Sequence, residues 1–253
     1  MNLFKIPLTL SYQEVLPFLG MEEEPTRAVK ELIEHYLRKI RRLAQPVGTW
    51  QTFSVLGREP EKTSLHSATL IIAGTSTAAH FKTCEKITLL ATTLGGEVDH
   101  LLLRLSPQEP TKALIADAVA SGAIEWFTEQ FDRYLAEQIR HKGYFPTARF
   151  SPGYGDWPLN WQKEFLADIK GEQIGLTTTE YFLLQPTKSI TAAIGWSNIP
   201  VNNTSQPALQ GEDKSAQKPA KPCSSAQTCP YCPFASSCSA HYQQKYLTNK
   251  APN

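Results

Sequence analysis

The composition breaks at Pro200. From Pro200 to Thr228, Asn, Ser, Gln, Lys and Pro dominate, and only Val201 and Leu209 are large and apolar. Such a stretch cannot bury enough surface to repay the entropy of ordering it, so it reads as a flexible linker. Any packed core must come from what precedes it in the 253-residue chain. A body of roughly 200 residues buries about 70 % of its unfolded surface and needs neither disulfides nor a metal to fold. The expected organisation is an N-terminal α/β subdomain over 1–85, a second region over 86–199, a linker over 200–222 and a cysteine-bearing tail over 223–253.

Charge narrows the function classes. Lys and Arg number 25 against 24 Asp and Glu, for a net charge of +1. This lacks the basic footprint that nucleic acid requires. Hydrophobic residues at 41 % and charged ones at 19 % exclude wholesale disorder. No run of about 20 apolar residues suggests a membrane span. The opening MNLFKIPLTLSYQEV has no basic start, long apolar stretch or small-residue cleavage site, so a cytoplasmic location is expected.

Periodicity sketches an α+β body. The start, roughly 1–46, reads as helical: Glu24-Pro25-Thr26 suits a first turn, and Val29, Leu32, Ile33, Tyr36, Leu37, Ile40 and Leu43 follow as one apolar stripe ended by Pro46 and Gly48. Thr49–Leu56 and Ser64–Ile72 read as strands, and Thr75–Glu85 as a short helix. The apolar run Ile87–Thr93 suits a strand covered on both faces. Ser106-Pro107 opens the longest helix, running to about Arg140; Gly122 inside it implies close packing. Two Pro and two Gly make Arg149–Pro158 a loop, and Asn160–Ile169 reads as a helix. Thr179–Leu184 and Ser189–Trp196 read as two strands. The expected fold is α+β, with a mixed or antiparallel sheet and long helices.

The tail carries its own chemistry. Cys223, Cys229, Cys232 and Cys238 are concentrated near the C-terminus, with His241 close by. In a reducing compartment this reads as a metal site before it reads as disulfides or free thiols. Cys229-Pro-Tyr-Cys232-Pro turns two sulfurs toward one ion, and the metal would supply folding energy that a short polar tail lacks. Zinc and an iron–sulfur cluster both fit thiolate ligands; the Cys-Pro steps favour the [4Fe–4S] cluster. The Cys-x3-Cys-x2-Cys signature of radical S-adenosylmethionine enzymes is absent.

Three sets of residues, Arg149-Phe150-Ser151-Pro152-Gly153-Tyr154 after the long helix, the Leu176–Ala192 stretch, and Glu14–Gly20 with Cys84–Gly95, together resemble the activation domain of cobalamin-dependent methionine synthase and its stand-alone relatives. The long helix followed by Arg149-Phe150-Ser151-Pro152-Gly153-Tyr154 is similar to that family's Arg-Pro-Ala-Pro-Gly-Tyr loop. Leu176-Thr177, Tyr181–Pro186 and Ser189–Ala192 resemble its later hairpin. Glu14–Gly20 and Cys84–Gly95 resemble the stand-alone proteins. The resemblance covers about residues 10–197 and makes 86–199 the activation-domain-like region. It implies S-adenosylmethionine as ligand, with Arg149, Ser151, Gly153 and Tyr154 as its contacts. It further implies a partner that supplies the cobalamin: methionine synthase or another corrinoid methyltransferase awaiting reductive reactivation. The loop chemistry suits this: a planar guanidinium for a carboxylate, a stiff Pro-Gly bend that brings backbone close, and an aromatic face for adenine or a sulfonium. The family's Asp-Trp pair near the N-terminus is missing, and Gly143 stands where an acidic residue precedes the loop. Glu125, Glu137 and Asp156 are the alternatives for an acidic contact. A tail cluster on a linker could pass an electron to the partner.

Other candidates are weaker. Cys84 reads as a buried structural thiol, and His66, His80, His100 and His141 show no ligand spacing. Gly95-Gly96 reads as a tight strand–helix turn, and Trp157 and Trp161 as core. The alternative to an accessory protein without its own catalytic cycle is a scaffold that kept the fold and uses a metal-stapled tail for protein contacts. An independent methyltransferase ranks last, because no glycine-rich nucleotide motif is present.

Overall fold

A computed structural model describes residues 2–105 and 109–201. The architecture is α+β. Strands β1 (Asn2–Phe4), β2 (Val47–Glu59), β3 (Lys62–Leu65), β4 (Ile71–Ala73), β5 (Cys84–Thr93), β6 (Phe145–Pro146) and β9 (Ser189–Ser197) form one sheet, ordered β4-β3-β2-β5-β9-β6 with β1 also on β2. Every pairing in it is antiparallel. A small hairpin, β7 (Thr177–Thr178) with β8 (Leu184–Gln185), stands apart.

Strand β5 lies between β2 and β9, and from Ile87 to Thr93 every residue is buried. Its unbroken apolar run follows from having layers on both sides. On one face Leu90, Ala192 and Ile194 meet Phe131, Leu135 and Ile139 of helix α4 (Pro110–His141). On the other face Ile87, Leu89, Ala91 and Ala193 meet Phe150, Trp157, and Phe165 of α5 (Gln162–Asp168). Helix α1 (Arg27–Leu43) lays Ile33, Tyr36, Leu37 and Ile40 into a cluster with α3 (Gly96–Leu105) and the first half of α4. Gly122 is the close approach expected of it: a Cβ there would sit 3.4 Å from Leu10 and from Phe18.

Several elements differ from expectation. The start is not helical throughout: Asn2–Phe4 pairs with β2 as a strand, and helix α1 begins only at Arg27. Ser64–Ile72 is two strands, because Ser67 takes φ 61 and turns the chain between them. The longest helix opens at Pro110, not Pro107, since α3 ends at Leu105. The helix from Thr75 stops at His80 (α2, Thr75–His80), and Cys84 already begins β5. Thr179–Leu184 is mostly a tight turn: Thr179 receives the N–H groups of Tyr181 and Leu183 on its hydroxyl, and Phe182 has φ 62.

Candidate functional site

The loop identified in sequence is built onto the free edge of β9. Phe145 and Pro146 pair with Ser197 and Trp196. Thr147 N–H donates to the Gly195 carbonyl at 3.0 Å, and Gly195 N–H returns to Thr147 Oγ1 at 2.9 Å. Phe150 and Ala193 then exchange both backbone bonds, at 2.9 and 2.7 Å. Extended backbone puts successive side chains on opposite faces. Phe150 accordingly enters the α5 side of the sheet, and its neighbour Arg149 turns toward α4.

After Phe150 the chain bends. Tyr154 N–H donates to the Ser151 carbonyl at 3.2 Å, and Gly153 N–H to the Trp157 carbonyl at 2.8 Å. Gly153 has φ 88, a region that side-chain-bearing residues avoid, and a Cβ there would come within 3.0 Å of Leu159. Tyr154 is 43 % exposed, Ser151 half-buried and Trp157 fully buried. The loop's far end is tied to α2. Asp156 receives hydrogen bonds from the backbone and hydroxyl groups of Ser76 and Thr77, at 2.6 to 3.1 Å. Burial pushes the Asp156 carboxyl up, but these four bonds outweigh it and hold its pKa below the ordinary value. At the other end of α2, His80 Nε2 lies 2.8 Å from the Ala148 carbonyl, so that nitrogen carries the proton. Burial lowers the His80 pKa, which keeps the ring neutral.

Arg149 is 5 % exposed, and its Nη2 donates to Glu125 Oε2 at 3.2 Å. Glu125, on α4, is 27 % exposed. Two turns along the same helix lies Asp132, 5 % exposed. Burial raises its pKa to about 6; the Arg149 charge pulls it back down and Glu129 pushes it up. Glu129 itself pairs with Arg133 at 3.3 Å. Beneath the loop, Gln162 Nε2 donates to Thr191 Oγ1 at 2.6 Å. Gln162 Oε1 and Trp157 Nε1 are buried and meet no hydrogen-bond partner among the described residues.

Of the residues singled out in sequence, Arg149, Ser151, Gly153 and Tyr154 thus share one bend beside β9 and α4. Of the alternative acids, Glu125 reaches Arg149, Glu137 is exposed, and Asp156 caps α2. Trp157 is core, as expected. Sequence reasoning passed over Asp132 and Gln162, which carry no motif. It set His80 aside for want of ligand spacing; the contact His80 makes depends on α2 docking against the loop. Cys84 is a buried thiol, pushed up to about 12 by burial. A cavity of about 480 Å³ lies elsewhere, between Lys5–Leu8 and Arg41, Ala44 and Pro46; no residue of the 149–154 loop lines it. Among the described residues no group of His, Cys, Asp and Glu could hold a metal ion, and no helix is long and apolar enough to cross a membrane. Cys223, Cys229, Cys232 and Cys238 lie outside the described residues.

No protein-family model matches the sequence, and no curated protein matches it. Among solved structures the chain is similar to a crystal structure of the MetH reactivation domain bound to AdoHcy, with a TM-score of 0.54. The match spans 77 % of this chain and 72 % of that one at 14 % sequence identity. The chain has the reactivation-domain fold. At that identity, fold similarity survives because burial pattern and topology are retained while side chains change. The role of each loop side chain has to be argued from its own surroundings.

Proposed function

We propose that this protein binds S-adenosylmethionine at the 149–154 loop. In this reading it serves, in the cytoplasm, as an accessory for reductive reactivation of a cobalamin-dependent methionine synthase or a related corrinoid methyltransferase. The observation that carries the reading is the Arg149–Glu125 pair beside a Pro-Gly bend in a reactivation-domain fold. An amino-acid head group presents a carboxylate and an ammonium side by side. Arg149 complements the first and Glu125 the second, so the pair matches a zwitterion in charge. Glu125 thereby supplies the acidic contact that Gly143 cannot. The crest of the bend at Gly153 has no Cβ, and the exposed Tyr154 ring offers a face to adenine or to a sulfonium. Trp157 Nε1 and Gln162 Oε1, one donor and one acceptor, suit a polar group or a water entering beneath the loop.

Bound, S-adenosylmethionine supplies an electrophilic methyl group. The residues of this chain bind and orient it: Arg149 fixes the carboxylate end, Glu125 the ammonium, and Tyr154 covers the remainder. The neighbour with AdoHcy bound is a domain of cobalamin-dependent methionine synthase, which supports both the ligand class and a cobalamin-protein partner. We further infer from sequence that Cys223, Cys229, Cys232 and Cys238 hold zinc or an iron–sulfur cluster. Anaerobic purification with metal analysis and an absorption spectrum tests this, and a colourless zinc protein would remove any electron-delivery role.

Calorimetry of the full chain with S-adenosylmethionine tests the main reading. Arg149→Ala is expected to weaken binding by about 1.5–3 kcal/mol, the size of a hydrogen bond to a charged group. Unchanged affinity in that variant would take the loop out of the site. A second reading, a scaffold that kept the fold, is favoured by the burial of Arg149 and its engagement with Glu125. Absence of nucleoside binding would select it.

A further inference from the structure

The strand that carries the loop does not pair evenly with β9. Pro146 stands opposite Trp196, and Phe150 stands opposite Ala193. Between those pairs Thr147, Ala148 and Arg149 face only Ile194 and Gly195, so the loop side holds one extra residue. This is a β-bulge, which re-aims the side chains beyond it. Trp196 and Ile194 lie on the α4 side of the sheet, and Ala193 lies on the α5 side. Opposed residues share a face, so Pro146 belongs to the α4 side and Phe150 to the α5 side. Unbroken alternation from Pro146 would put Phe150 on the α4 side and Arg149 on the α5 side, away from Glu125. The extra residue reverses both. Phe150 enters the core with Trp157, and Arg149 meets Glu125 at 3.2 Å.

A bulge interrupts the ladder, and the backbone groups it displaces need other partners. Here one carbonyl receives two. The Ala148 carbonyl accepts from His80 Nε2 at 2.8 Å and from Thr147 Oγ1 at 3.0 Å, and the same Thr147 hydroxyl accepts the Gly195 N–H at 2.9 Å. That carbonyl belongs to the peptide plane leading into Arg149, so holding it fixes the direction in which the Arg149 side chain sets out. His80 is itself well held. Its ring packs on Phe81 and Phe150, with centroids 4.7 and 5.5 Å away, and the other end of α2 is tied to Asp156. We propose that His80 is a positioning residue for Arg149. Through the Ala148 carbonyl it locks the bulge that turns the guanidinium toward Glu125 and, in the function proposed above, toward the carboxylate of the ligand. The ligand side of this proposal rests on that function; the aiming of Arg149 rests on the bulge.

The full-length chain tests this with two readouts: calorimetry with S-adenosylmethionine, and solvent exchange of the Arg149 Nε–H by NMR, its signal assigned by its loss in Arg149→Ala. His80→Ala is expected to weaken binding about tenfold, the scale of one hydrogen bond withdrawn, and to speed the exchange by a similar factor. His80→Gln puts an amide N–H where the imidazole donates and is expected to restore both. In an Arg149→Ala background His80→Ala is expected to cost no further affinity, because its effect runs through that side chain. Thr147→Val removes the second bond to the same carbonyl and is expected to move both readouts in the same direction, which keeps the test open should His80→Ala not fold. Fully additive losses, no rescue by His80→Gln, or unchanged exchange in His80→Ala would overturn the proposal and leave the binding site standing. Absence of binding by the unaltered protein would overturn the proposed function, and the exchange readout would still decide whether His80 aims Arg149.

Discussion

Asp132→Asn is expected to stabilise the protein, by an amount that grows as pH rises from about 4 to 6 and is then constant. The carboxyl has an ordinary pKa of 3.8 and is raised to about 6 in the fold, chiefly by burial. At about 1.4 kcal/mol per pH unit, that difference means ionised Asp132 opposes folding by about 3 kcal/mol. The sign follows from proton counting. Between pH 3.8 and about 6 the folded chain holds the proton and the unfolded chain has released it, so stability falls as pH rises through this window. Below it both states are protonated and the opposition vanishes; above it the full opposition is present. Asn is neutral and nearly the same shape. The variant should therefore match the parent near pH 3.8 and exceed it by up to about 3 kcal/mol at pH 7.5. At roughly 2–4 °C per kcal/mol for a chain of this size, the gain in melting temperature is about 6–12 °C. Urea denaturation or thermal melts of both proteins across this pH range provide the measurement. The informative quantity is the difference between the two curves, because other carboxylates titrate in both. Parallel profiles, or a parent more stable at pH 7.5, would show that Asp132 is solvated or hydrogen-bonded and would refute this reasoning.

Two further substitutions probe how the loop is held. Gly195→Ala places a Cβ 2.3 Å from Cys84 Sγ, 2.9 Å from Phe81 and 3.0 Å from Thr147. Overpacking there is expected to cost about 1–3 kcal/mol in denaturant midpoint, and adding Cys84→Ala should recover part of it; strictly additive losses would contradict the contact. Asp156→Ala removes the hydrogen bonds to Ser76 and Thr77 that cap α2, an expected loss of about 1–2 kcal/mol. Because this carboxyl's pKa is held below its ordinary value, its contribution is present at neutral pH and is lost as pH falls through the depressed pKa; a parent–variant difference that does not shrink on acidification would contradict the cap.

The α+β fold was legible where one physical demand dominates a segment. The stripe from Val29 to Leu43 buries one face against α4, and Ile87–Thr93 is apolar throughout because both of its faces are covered. The misread segments are those where a hydroxyl or a positive φ redirects the chain. Ser67 breaks a β-branched run that otherwise scores as one strand, and Thr179 closes a turn within residues rich in strand formers. Such local hydrogen bonds compete with the ladder on nearly equal terms, and composition does not reveal which wins. The loop residues were legible for a different reason: Pro152 and Gly153 restrict the backbone in any context, and Arg149 is charged in any context.

Asp132 shows where sequence reading stops. In the run Glu129-Gln-Phe-Asp132-Arg133 it has the look of a solvated helix charge, flanked by Arg133 and one turn from Glu129. Nothing local distinguishes it from Glu137, which is exposed. What buries it is the path of a segment distant in sequence: residues 145–150 run along the β9 edge, and extended geometry then sends Arg149 toward α4. The register set by the Phe150–Ala193 bridge thus decides the state of a carboxyl on another element. A one-residue slip would move Arg149 to the opposite face and leave Asp132 without the charge that makes its burial tolerable. The backbone pairing of β9 with the loop is therefore part of the electrostatics around Arg149, and a change at Thr147 or Gly195 that shifts this pairing should weaken the Arg149–Glu125 pair as well as the fold.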